Sequence, residues 1–149
     1  MSFTIKVNGL DTFKKKLIQS PKTFEPILKR GIVDSAKVIV RNEIKEAPHR
    51  TGNLQRNILF KYRPVQATIT PNAKYAVWVH EGTGVYAGKG MITPKRGKVL
   101  AWREGGKWRF AKAVKGQRPN KFVDRAWRKS KAPIQRIFDT MLKKVVNKL

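Results

Sequence analysis

Ala47-Pro48-His49-Arg50-Thr51-Gly52-Asn53-Leu54-Gln55-Arg56-Asn57-Ile58 is the stretch where one hydrophobic period stops and another begins. Before it, Phe24, Leu28, Ile32, Ala36, Ile39, Val40, Ile44 and Ala47 recur at helical spacing, a stripe of roughly six turns. Ser20-Pro21 opens that helix, and Pro48 ends it by pushing the preceding residue out of the α region. Thr51 can cap through its hydroxyl while Gly52 supplies a backbone turn, redirecting the chain from helix to sheet. Leu54 and Ile58 would fix the joint by burial. Beyond it, Asn57–Tyr62 and Val65–Thr70 flank Arg63-Pro64 as a plausible hairpin. A long helix feeding antiparallel strands is the start of an α+β fold.

Toward the N-terminus, Phe3, Ile5 and Val7 alternate as in a short strand, and Leu10 to Ser20 can form a brief helix. Toward the C-terminus, Pro71-Asn72 makes a turn and Lys74 to His80 alternates as a further strand. A long connection from Glu81 to Gly97 follows, rich in glycine and expected to be mobile over residues 82–97. Val99–Trp102 and Lys107–Phe110 flank Glu104-Gly105-Gly106, a strong hairpin signal. Pro119 suits a first helical turn, and Phe122, Val123, Ala126 and Trp127 follow at helical spacing. Pro133 should kink or restart this helix before Ile134, Ile137, Phe138, Met141, Leu142, Val145, Val146 and Leu149. The expectation is one domain over 1–149: an antiparallel sheet of four to six strands, packed by a long helix in the first half and a C-terminal helix.

The chain has 149 residues and a formal charge of +25, with 34 Lys/Arg against 9 Asp/Glu. Hydrophobic residues at 40%, with four Trp and seven Phe, are too many for a disordered basic tail. The charge is uneven: residues 85–149 hold nineteen basic and three acidic residues. Any polyanion contact belongs there first. Cysteine is absent, which removes disulfides, thiolate zinc sites and thiol nucleophiles. The longest uncharged run, Pro64 to Ala73, is far short of the roughly 20 apolar residues of a spanning helix. No membrane contact is expected.

Catalytic constellations are scarce. His49 and His80 lack metal-ligand spacing, and His80-Glu81 reads either as an acid/base pair or as a strand-edge pair beside a turn. The run Gly82-Thr83-Gly84-Val85-Tyr86-Ala87-Gly88-Lys89-Gly90 fails as a phosphate loop. Thr83 stands where the first glycine is needed, and Gly90 where the magnesium hydroxyl is needed. A basic loop carrying Lys89, Lys95, Arg96 and Lys98 describes it better. Aromatic residues lie among the basic ones at Trp102-Arg103, Lys107–Phe110 and Arg125–Arg128, which could stack bases. Hairpin alternation and helical spacing assign most of those aromatics to the core instead. No enzyme activity and no cofactor are expected.

Three segments in this order resemble the small head–tail joining, or tail-completion, proteins of long-tailed double-stranded-DNA bacteriophages. They are Ala47–Ile58, Tyr75-Ala76-Val77-Trp78-Val79-His80-Glu81-Gly82-Thr83-Gly84 and Arg118–Ala126. The matching positions are Pro48, Thr51, Gly52, Leu54, Tyr75, Ala76, Glu81, Gly82, Thr83, Gly84, Pro119 and Phe122. The third segment departs from the family pattern, because Asn120-Lys121 separate Pro119 from Phe122 and Arg125 stands where a second proline is common. The resemblance implies a neck component of the virion: a ring, typically six-fold, joining tail-tube to head-connector proteins, with DNA in its lumen. Lys89, Lys95, Arg96 and Lys98 would then face DNA or an acidic neighbouring ring. The alternative reading is a free-standing basic protein that binds nucleic acid without sequence preference.

Overall fold

A computed structural model describes residues 3–5, 25–64 and 66–146. The expected helix over Leu10–Ser20, the opening Ser20-Pro21 turn, Lys6 and Val7 lie outside them. The described chain is α+β and falls into two compact units. One joins the residues up to Ala73 with those from Phe122 onward, and the other is Lys74–Lys121.

The first unit is built from β1 (Phe3–Ile5), α1 (Glu25–Glu46), the single turn α2 (Asn53–Arg56), β2 (Ile58–Arg63), β3 (Gln66–Pro71) and α4 (Phe122–Val146). The strands form an antiparallel sheet in the order β1-β3-β2, with Phe60 opposite Ile69 and Phe3 on the other side of Ile69. Period-two alternation on β2 and β3 gives the sheet two unlike faces. Ile58, Ala67 and Ile69 are buried on the face against α1, while Leu59, Lys61 and Arg63 on β2 are exposed. Helix α1 packs against both β2 and β3, and α4 packs chiefly against α1.

Ile32, Ala36 and Ile39 are buried on α1 as the stripe required. At the end of the helix the stripe departs from expectation, since Ile44 is exposed and Glu43 is fully buried. The reason is angular. Eleven residues return a helix to within about 20° of its start, so position 43 lies under Ile32, and position 44 is about 120° away. On α4, Phe122, Ala126, Met141 and Val145 are buried, whereas Trp127 and Leu142 are exposed. The helix begins at Phe122 and runs unbroken through Pro133 to Val146, without the expected start at Pro119 or restart at Pro133. Gly31 gives Met141 room at the crossing of the two helices: a Cβ there would lie 2.6 Å from the Met141 sulfur.

The second unit comprises α3 (Ala76–Glu81), a 3-10 turn (Gly84–Ala87), β4 (Leu100–Glu104) and β5 (Lys107–Ala111). The segment expected as a strand over Lys74–His80 is therefore helical from Ala76 onward. Its apolar run is short enough that period alone cannot separate strand from helix. Burial of Ala76 and His80, four residues apart, with Trp78 exposed between them, is the helical outcome. Among the described residues the strands β4 and β5 pair only with each other. So the described strands make a three-stranded sheet and a separate two-stranded hairpin, not one sheet of four to six.

Candidate functional site

The motif residues of the first unit build the helix-to-sheet joint. Gly52 takes φ +72°, the left-handed conformation that favours glycine, and starts α2. The Thr51 hydroxyl accepts from the Asn53 amide at 3.4 Å, and Leu54 and Ile58 are buried beneath the turn. Gln55 reaches back from α2 to donate to the Ile44 carbonyl at 2.9 Å, tying the turn to the end of α1. Pro48 is exposed at the exit from α1, and Phe122 is fully buried at the start of α4.

Polar contacts then lock α1 to α4. Glu46 accepts from Arg125 at 2.7 Å and from Lys129, and these bonds hold its carboxyl below the ordinary carboxylate range. Asn42 donates to Ser130 at 2.8 Å, and Ser130 donates to the Ala126 carbonyl at 2.7 Å. Among the described residues Glu43 has no hydrogen-bond partner for either oxygen, and burial pushes its pKa up to about 7. Sequence reading placed Ile44 where Glu43 stands, and so missed this buried acid.

In the second unit the Glu81–Gly84 motif is an anchoring device. Glu81 pairs with Lys121 at 2.5 Å, which lowers its pKa, and its other oxygen is 3.5 Å from Nε2 of the buried His80. The amides of Asn120 and Lys121 donate to the Val79 and His80 carbonyls at 3.0 and 3.2 Å. The Thr83 amide donates to the Gln117 carbonyl, the Val85 amide to Lys115, and Ile92 and Val114 exchange a bonded pair. A Cβ on Gly82 would stand 2.8 Å from the Gln117 carbonyl oxygen, and one on Gly84 would collide with that of Lys115. These glycines are required by close backbone approach as well as by their positive φ. Tyr75 and Pro119 are exposed, Ala76 is buried, and the Tyr86 hydroxyl sits 3.5 Å from Arg118, which lowers the tyrosine pKa.

Lys89, Lys95, Arg96 and Lys98 are all exposed. Lys74–Lys121 holds twelve Lys/Arg against Glu81 and Glu104, a formal +10. All six aromatic side chains of that unit are exposed: Tyr75, Trp78, Tyr86, Trp102, Trp108 and Phe110. That overturns the expectation that hairpin alternation places Trp102, Trp108 and Phe110 in the core. Alternation needs a covering layer to bury one face, and β4–β5 is a two-stranded ribbon whose residues 101–110 are exposed throughout. A groove of about 790 Å³ runs along α1 and α4 past Arg30, Asp34, Arg136 and Lys144. Among the described residues no helix is long and apolar enough to cross a membrane.

Compared with protein-family models, with curated proteins and with solved structures, the chain matches none of them.

Proposed function

We propose that the protein is a structural component of a phage head–tail junction, assembling as a head-to-tail ring that joins tail tube to connector and encloses the DNA path. The observation that carries the reading is the uncovered face and edge of β2. Among the described residues β2 is an edge strand, and Leu59, Lys61 and Arg63 project from the sheet face opposite α1. A ring of identical subunits needs two unlike, complementary surfaces on each copy. An open edge strand is one natural half of such a contact. Within the Lys74–Lys121 unit, Trp78 and Tyr75 are exposed on one side of α3. The motif residues support the reading in a second way, because they build joints and anchors: Gly52 and Leu54 turn the chain, and Gly82, Thr83 and Gly84 dock one segment on another.

The second reading, a free-standing nucleic-acid-binding protein, is favoured by the +10 charge and six exposed aromatics of Lys74–Lys121. Leu59→Glu separates the two. It places a carboxylate on the open sheet face without touching the core, so the variant should fold. The assembly reading expects native mass spectrometry to show wild-type rings and a monomeric variant. A variant that assembles as the wild type does would remove β2 from the interface.

A further inference from the structure

We infer that the β4–β5 hairpin is a stacking platform for unpaired bases, and that its ligand is a single-stranded segment of nucleic acid. The register carries the argument. Directly opposed residues share a face, and Ala101 opposes Phe110 while Arg103 opposes Trp108. Ala101, Arg103, Trp108 and Phe110 therefore make one face. Trp102, Arg109, Glu104 and Lys107 fall on the other, where Arg109 Nε lies 3.4 Å from Glu104. The hairpin's one acid is thus segregated from its aromatic face. Trp108 and Phe110 are 63% and 65% exposed, with ring centroids 6.4 Å apart and planes inclined by 23°. Two near-parallel rings at alternate positions of one strand offer successive surfaces to successive bases.

The platform is held in place. Gly105 and Gly106 take φ +55° and +81°, the pair of positive values a tight two-residue hairpin turn needs. Arg103 Nε donates to the Gly106 carbonyl at 3.2 Å, which fixes the guanidinium beside the turn. At the base of the ribbon, Ile92 and Val114 exchange backbone bonds of 2.8 and 3.0 Å. Arg103 shares the ring face, Lys107 and Arg109 lie on the opposite face of the ribbon, and Lys98 and Lys112 flank it in sequence. Protein–protein interface cores are depleted of lysine, whereas exposed rings on a ribbon that carries many cations and one acid suit bases borne on a phosphate backbone. The site stands independently of ring assembly.

The test uses the full chain and its Trp108→Ala/Phe110→Ala variant, both exposed positions whose loss leaves the core intact. Fluorescence anisotropy reads binding to oligo-dT, oligo-U, a duplex of the same length and a heparin fragment, which carries charge without bases. The wild type should bind one or both single strands, with quenching of tryptophan emission. The variant should lose about ten-fold or more on that strand and less than about two-fold on heparin. Whichever strand shows the selective loss identifies the source as DNA or RNA. Equal losses on strand and heparin would overturn the proposal. So would an unchanged strand affinity, which would assign the rings to an acidic protein partner.

Discussion

Thr83 and Gln117 hold each other twice: the Thr83 amide donates to the Gln117 carbonyl at 2.9 Å, and the Thr83 hydroxyl accepts from the Gln117 amide at 2.8 Å. They are 34 positions apart, so this reciprocal pair closes the segment that begins at the Glu81–Gly84 motif onto the one that leads toward α4. Thr83→Val keeps the shape and removes the acceptor. It should cost about 1 kcal/mol in denaturant unfolding and speed hydrogen exchange at Gln117. Thr83→Ser should retain both.

Glycines of the same segment should respond unequally. Gly84 combines φ +61° with a backbone neighbour that leaves no room for a Cβ, while Gly90 and Gly97 have positive φ but open space. Gly84→Ala should therefore lower the thermal midpoint of Lys74–Lys121 far more than Gly90→Ala, whose cost is the roughly 1 kcal/mol of a left-handed alanine. Circular dichroism and limited proteolysis within that unit would check the order.

Glu43 gives the fold a pH dependence of known sign. Its carboxyl titrates near 4.5 when unfolded and near 7 when folded, so the folded state holds the extra proton between those values. Stability should fall as pH rises from about 4.5 to about 7 and then level off, a loss of about 3 kcal/mol from this group. Glu43→Gln, neutral throughout, should match the wild type at pH 4 and exceed it at pH 8 in urea unfolding. A variant less stable than the wild type at pH 8 would contradict the assignment.

Glu46 acts in the opposite direction. Arg125 and Lys129 hold its folded pKa below the unfolded value, so its contribution is full above about pH 4.5 and is lost as pH falls through the lowered value. Glu46→Gln should lower the melting temperature at pH 7 and make less difference at pH 3. Arg125→Met should reproduce part of that effect, since it leaves Lys129 in place.

The joint between helix and sheet was legible because its residues have narrow physical meanings: proline stops a helix, glycine takes positive φ, and Leu54 needs cover. Both hairpins were legible from turn chemistry: the second turns at Gly105-Gly106 within the expected Glu104-Gly105-Gly106, whereas in the first Arg63 pairs with Gln66, so the turn falls one residue later than Arg63-Pro64. What sequence could not show was which alternating or periodic residues find a covering layer. Lys74–His80 alternates like a strand, yet Ala76–Glu81 is a helix, and Trp108 and Phe110 look like core yet face outward. The charged character of Glu43 also hid a fully buried position, because apolar periodicity prefers its neighbour Ile44. The glycine-rich segment held a further surprise. Between Thr83 and Ile92 it is tied by backbone bonds to Val114–Gln117, partners too distant in sequence for local turn signals to reveal.

Particle mass across a salt series, by light scattering with electron microscopy of the same fractions, tests the assembly account most directly. Subunits of charge +25 repel one another, so rings should appear as salt rises or a polyanion is added. The same rings should cap tail tubes when these are mixed in. A monodisperse monomer at every salt concentration, joining neither tail tubes nor connectors yet binding duplex DNA tightly, would contradict it.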